Sequence, residues 1–79
     1  MSASILIIDD DRELCTLLSD FLKLEGFRCQ AIHDGAEAVD HCRHHTYDAL
    51  VLDVMLPGLQ GLDVLRQLRS FTATPVPVS

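Results

Sequence analysis

Ile5-Leu6-Ile7-Ile8-Asp9-Asp10-Asp11 is the stretch on which the reading of this chain turns. Four contiguous apolar residues, three of them β-branched, predict a strand covered on both faces. A strand with one wet face would alternate apolar and polar side chains instead. The aspartates that follow end the strand and open a helix. Leu14, Leu17, Leu18, Phe21 and Leu22 recur at helical spacing and predict an apolar stripe along one helix face. Asp11 is placed to cap that helix, Glu13 suits its positive first turn, and Gly26 suits its stop.

The same alternation repeats downstream. Residues 27–32 predict a second strand, although Arg28 and Gln30 interrupt its apolar run. His33-Asp34-Gly35 reads as a turn. Residues 36–44 read as a short helix with Ala36, Val39 and Cys42 on its apolar side. Residues 49–52 predict a third buried strand that ends at Asp53. A loop through Pro57, Gly58 and Gly61 leads to a helix over 62–69, with Leu62, Leu65 and Leu68 inward. The order β-α-β-α-β-α predicts an α/β fold, a parallel sheet with helices on both faces. Residues 74–78 look like the start of a fourth strand. Pro75 and Pro77 are two apart, so the donors they lack face one side. The strand is expected to pair along its other edge and present the blunted one outward.

Composition narrows the function classes. The chain has 79 residues, which allows one domain, and its 48% hydrophobic and 23% charged residues are a globular balance. Twelve Asp and Glu against six Lys and Arg leave a charge of −6. That balance argues against this chain gripping nucleic acid or an anionic membrane surface. No apolar run approaches the ~20 residues that span a bilayer, and no Lys or Arg precedes the first apolar run, as a secretory signal would require. Cys15, Cys29 and Cys42 are odd in number and scattered, so reduced thiols in a cytoplasmic protein are expected.

Two buried-type strands end in Asp: Asp9 and Asp10 after the first, Asp53 after the third. In open parallel sheets, ligands bind at the carboxyl ends of the strands. Three carboxylates converging there repel one another unless a cation sits among them. An all-oxygen donor set with no Cys or His adjacent suits Mg²⁺. An Asp beside such an ion is a candidate phosphoryl acceptor. The plain alternative, that Asp9 to Asp11 only cap a helix and Asp53 only ends a strand, leaves the convergence of two strand ends unexplained.

The stretches ILIIDDDREL (5–14), LEGF (24–27), HDGAEAV (33–39) and LVLDVMLPGLQGLDVL (50–65) together resemble the receiver domain of bacterial two-component response regulators. They are most similar to the receivers of winged-helix transcription regulators of the OmpR/CpxR type. The resemblance implies a flavodoxin-like doubly wound parallel sheet, truncated after about three βα units, with residues 1–79 forming a partial receiver domain and no output domain. It implies that Asp53 takes a phosphoryl group from a sensor histidine kinase. Asp10 would ligate Mg²⁺ directly, with Asp9 as its partner, often through water, and the backbone carbonyl of Met55 would complete the metal site. Pro57 and Gly61 match the shaped loop after the acceptor. The implied role is a signalling module and not an enzyme, controlling transcription in a full-length parent.

Two groups of the family pattern find no match. Lys23 is the only lysine and belongs to the first helix, so the lysine that pairs with acceptor and phosphate is missing. Ser79 stands one residue short of the family spacing for the switch hydroxyl. The expectations are weakened phosphoryl acceptance and self-association of the fragment, the latter open also to a remnant that serves only as a structural or dimerisation module. Asp9-x-Asp11 after a strand is similar to haloacid-dehalogenase-like phosphohydrolases too, but Arg12 and Glu13 follow where those proteins have a small residue and a hydroxyl. His41 and His45, with His44 and Cys42 nearby, have a zinc-capable spacing. No further ligand joins them, and a solvated helix face is expected there.

Overall fold

Six elements follow one another as β1 (Ser4–Ile8), α1 (Arg12–Leu24), β2 (Arg28–Ile32), α2 (Gly35–His44), β3 (Ala49–Leu52) and α3 (Gly61–Arg69). They are seen in a computed structural model that describes residues 2–53 and 61–77. The three strands and three helices expected over residues 5–69 are present, whereas the fourth strand expected from residue 74 is not among the elements of the described residues. β1 lies in the middle of a parallel sheet of order β2-β1-β3. Ile5 stands opposite Cys29 and Ala49, and Ile8 opposite Ile32 and Leu52. This register brings the carboxyl ends of all three strands to one edge.

Local chemistry sets the element ends. The Leu14 N–H donates to the Asp11 carboxylate at 3.0 Å and caps α1. Asp34, read from sequence as part of a plain turn, does the same for α2, accepting from the Glu37 N–H at 2.9 Å. Each cap contributes about 1 kcal/mol. Gly26 ends α1 with a φ of 94°, a left-handed value that any Cβ would strain. Its N–H reaches the Lys23 carbonyl at 3.1 Å, and the Phe27 N–H reaches the Leu22 carbonyl at 3.0 Å, which satisfies the last turn.

One face of the sheet is closed. Leu6, Ile8, Ile32, Leu50 and Leu52 pack with Ala38 and Val39 of α2 and Val64 and Leu68 of α3. On α2, Ala36 is exposed and Ala38 takes the inward place beside Val39; on α3, Leu62 is exposed and Val64 takes it. On α1 the stripe is wider than the surface it covers. Cys15 is buried and Leu18 and Leu22 are half-buried, while Leu14, Leu17 and Phe21 face outward. Spacing defines an apolar face, but the packing partner decides which edge of that face is dry.

The tail departs from expectation in its orientation. The Leu50 N–H donates to the Pro75 carbonyl at 2.9 Å and the Leu52 N–H to the Pro77 carbonyl at 3.0 Å. In an extended strand a residue's nitrogen and carbonyl lie on the same side. The prolines' missing donors therefore face β3, and the blunted edge is the paired one. Only acceptors reach across, which makes half a ladder. Val76, between them, packs against the core. Among the described residues no helix is long and apolar enough to cross a membrane.

Candidate functional site

The site grows out of the sheet's register. β1 and β3 are neighbours, and each is followed by an aspartate. The Asp53 N–H donates to the Ile8 carbonyl at 3.0 Å, and the Asp9 N–H to the Ile32 carbonyl at 3.1 Å, so both residues leave the sheet with their main chain still tied to it. Asp10 follows Asp9 before α1 begins. One carboxylate oxygen from each of Asp9, Asp10 and Asp53 lies within 4.8 Å of the others. The sequence expected these three to converge, and the structure brings them together. Met55, the fourth expected site residue, lies outside the described residues, as do Pro57, Gly58 and Ser79; Gly61 opens α3.

The three carboxylates differ in exposure. Asp9 is buried, with 8% of its surface accessible, Asp53 is half-buried and Asp10 is exposed. Burial is the largest influence on the Asp9 carboxyl and pushes its pKa above the ordinary value. The N–H of Asp11, donating to Oδ1 at 3.0 Å, works against that shift, and the charges of Asp53, Asp10 and Asp11 add to it. Burial and like charge thus both disfavour the ionised form of Asp9. Hard oxygen donors on rigid strand ends, one of them open to water, match what Mg²⁺ takes: a few carboxylates, with water completing its shell. Such a donor set fits the ion.

Behind this cluster stands a residue that the sequence reading gave no chemistry. His33 follows β2 directly, and its Nδ1 lies 3.0 Å from the Asp9 carbonyl oxygen. Cys15 Sγ lies 3.4 Å from the same oxygen. The available signal was positional: a polar side chain just past the end of a strand that neighbours the acid-terminated one.

The histidines at the end of α2 keep the expected exposure at His44 and His45, and His41 is drawn partly inward. The His41 and His45 rings stack at 4.1 Å between centroids. His41 Nε2 lies 2.6 Å from the Tyr47 hydroxyl. Burial, then the nearby His45, lowers the His41 pKa. His41 is half-buried, while His44 and His45 are exposed, as a solvated face requires. Among the described residues, the three aspartates are the one group placed to hold a cation.

Comparison with known proteins agrees with this geometry. A family model described as the response regulator receiver domain matches residues 5–79. The response regulator MprA of Mycobacterium bovis is 47% identical over 78 residues, which cover 99% of this chain and 34% of MprA. The transcriptional regulatory protein CpxR of Escherichia coli is 47% identical over 72 residues, covering 91% of this chain and 31% of CpxR. The chain thus spans about a third of the length of these curated relatives. Among solved structures, the receiver domain of the sensor histidine kinase PA1611 from Pseudomonas aeruginosa is described with a magnesium ion coordinated in its active site cleft. It superposes with a TM-score of 0.92 at 27% identity, covering 99% of this chain and 66% of that one.

Proposed function

The chain belongs to the response regulator receiver domain family, and from that premise we propose that it is a phosphoryl-accepting signalling module with Asp53 as the acceptor and Asp9 and Asp10 as the principal protein ligands for Mg²⁺. The observation that carries the proposal is the approach of three carboxylates, from the ends of two separate strands, to within 4.8 Å. A structural role for three acidic side chains there would not hold one of them buried against its own charge.

The acceptor step is nucleophilic. A carboxylate oxygen of Asp53 forms an O–P bond as the P–N bond of a phosphohistidine breaks, and the electron pair leaves with the imidazole nitrogen, which takes up a proton. The donor in this reading is a sensor histidine kinase. Mg²⁺, when bound, would supply charge neutralisation for the incoming phosphoryl group. Asp9 and Asp10 hold that charge at the strand ends, and the Met55 carbonyl is the further oxygen donor in the proposal. The product stays attached to Asp53, so the module is a substrate of signalling chemistry and not a turnover enzyme. In a longer parent of the MprA or CpxR kind it would control transcription from the cytoplasm.

Incubation with acetyl phosphate and Mg²⁺, followed by intact mass measurement, tests the reading. One phosphoryl group is expected on the wild type and none on Asp53→Asn. Equal labelling of both proteins, or none on the wild type, overturns it.

A second reading, self-association, draws on one specific observation: Leu17, Phe21 and Leu24 on α1 are largely exposed, at 63, 59 and 86%. Apolar surface gathered on one helix favours contact with a second copy. Sedimentation velocity at rising concentration should then show dimers, and a single monomeric species throughout would remove this reading.

A further inference from the structure

Resting on the Mg²⁺ reading of the site, we infer that His33 is a positioning residue for the metal-binding pair, acting by holding the peptide that joins Asp9 to Asp10. The argument begins with where the β1–β2 ladder stops. The Asp9 N–H still makes a ladder bond, to the Ile32 carbonyl at 3.1 Å. The register that pairs Ile8 with Ile32 would bring the next donor, for the Asp9 carbonyl, from the main chain beyond His33. Asp34, whose N–H would be that donor, begins α2 as its N-cap, and no main-chain bond to the Asp9 carbonyl is made there.

The side chain of His33 supplies the donor instead, with Nδ1 3.0 Å from the Asp9 carbonyl oxygen. A carbonyl only accepts, so this contact places the ring proton on Nδ1. The Cys15 thiol, at 3.4 Å, reaches the same oxygen from α1, and its sulfur lies 3.7 Å from Nδ1. The carbonyl is thus gripped from two elements at once.

That oxygen belongs to the peptide between the two residues proposed as metal ligands. Its plane sets the direction in which the Asp9 and Asp10 Cα–Cβ bonds leave the strand end. A change in ψ of Asp9 or in φ of Asp10 would turn one carboxylate relative to the other. Asp10 is the exposed member of the pair, so its direction depends most on this anchor. Outer groups that orient ligands commonly change metal affinity 10- to 100-fold (about tenfold is the expectation here).

Mg²⁺ titration followed by amide chemical shifts, with thermal unfolding of each metal-free protein alongside, tests the assignment in the wild type, His33→Leu, His33→Asn and His33→Gln. Asn can place an amide N–H near the position of Nδ1, whereas Gln carries it too far. The expected result is Mg²⁺ affinity about tenfold weaker in His33→Leu and His33→Gln, and restored to within about threefold in His33→Asn. The metal-free unfolding midpoints of His33→Asn and His33→Gln should be similar, so the affinity difference would not follow stability. Should His33→Leu not fold, the Asn and Gln pair carries the same comparison. Equal Mg²⁺ affinity in Asn and Gln variants overturns the positioning role while leaving the metal site intact. Absence of any Mg²⁺-dependent shift in the wild type overturns the metal reading itself, and this inference with it.

Discussion

Leu52 and Asp53 are consecutive residues at the point where β3 leaves the sheet, and Ile8 and Asp9 stand in the same relation on β1. Leu52 and Ile8 are fully buried in an apolar core shared with α2 and α3. One residue further on, Asp9 is buried as a carboxyl group beside two others, with its pKa pushed up chiefly by burial. The core is a region where strand propensity, packing and burial agree. The carboxyl edge is a region where they conflict, held in place by the register of the same strands. Conflicts of this kind mark sites where folding stability gives way to function. The core supplies the rigidity that keeps the acidic cluster assembled.

The largest expected effect breaks the core side of the comparison. Leu52→Ala should lower the free energy of unfolding by about 3 kcal/mol, the usual loss for emptying a fully buried leucine site. Denaturant melts should show the same loss with and without Mg²⁺, because Leu52 touches no part of the acidic chemistry except through the chain. A loss below about 0.5 kcal/mol, typical of exposed positions, would show that the core is not where the structure puts it.

The next effect has the opposite sign. Asp9→Asn should stabilise the metal-free protein at neutral pH by about 1 kcal/mol, the common gain from relieving a charge conflict. It keeps an oxygen to accept from the Asp11 N–H. The pH dependence follows from the raised pKa. The folded state holds the Asp9 proton more tightly than the unfolded chain, whose carboxyl titrates near 3.8. Metal-free stability contributed by this group is therefore present at low pH and declines as pH rises through 3.8 to the folded value. Thermal unfolding across that range should show the decline in the wild type and its loss in Asp9→Asn.

The smallest effect concerns the outer edge of α1. Leu17→Ser should leave stability within about 0.5 kcal/mol of the wild type, since Leu17 is 63% exposed. It should also reduce any self-association seen by sedimentation. A large loss of stability would mean that this edge is covered in the free protein.

The sequence was most legible where one residue type answers to one physical demand. Unbroken apolar runs at 5–8 and 49–52 announced buried strands, and the aspartates after them announced the site. Where the outcome depends on a partner, the sequence was ambiguous. The α1 stripe did not say which of its edges would be dry, and Leu14, Leu17 and Phe21 stay exposed. Two prolines two apart said that their nitrogens share a side. Only the pairing with Leu50 and Leu52 decides that this side faces β3. Asp34, with Glu three residues later, carried a helix-start pattern that its Gly neighbour disguised as a turn. His33 lies furthest from legibility, because its bond to the Asp9 carbonyl crosses between strands that only the register aligns.

The central claim is that the Asp9, Asp10 and Asp53 carboxylates gather at a cost that a divalent cation removes. Unfolding midpoints of the wild type and Asp9→Asn, measured against Mg²⁺ concentration at constant ionic strength, test it most directly. The wild type should start lower and rise, gaining about 2.7 kcal/mol when Mg²⁺ reaches a hundred times its dissociation constant. Asp9→Asn should start higher and stay nearly level, so the two curves cross. Curves that remain parallel, whether flat or rising together, would contradict the claim.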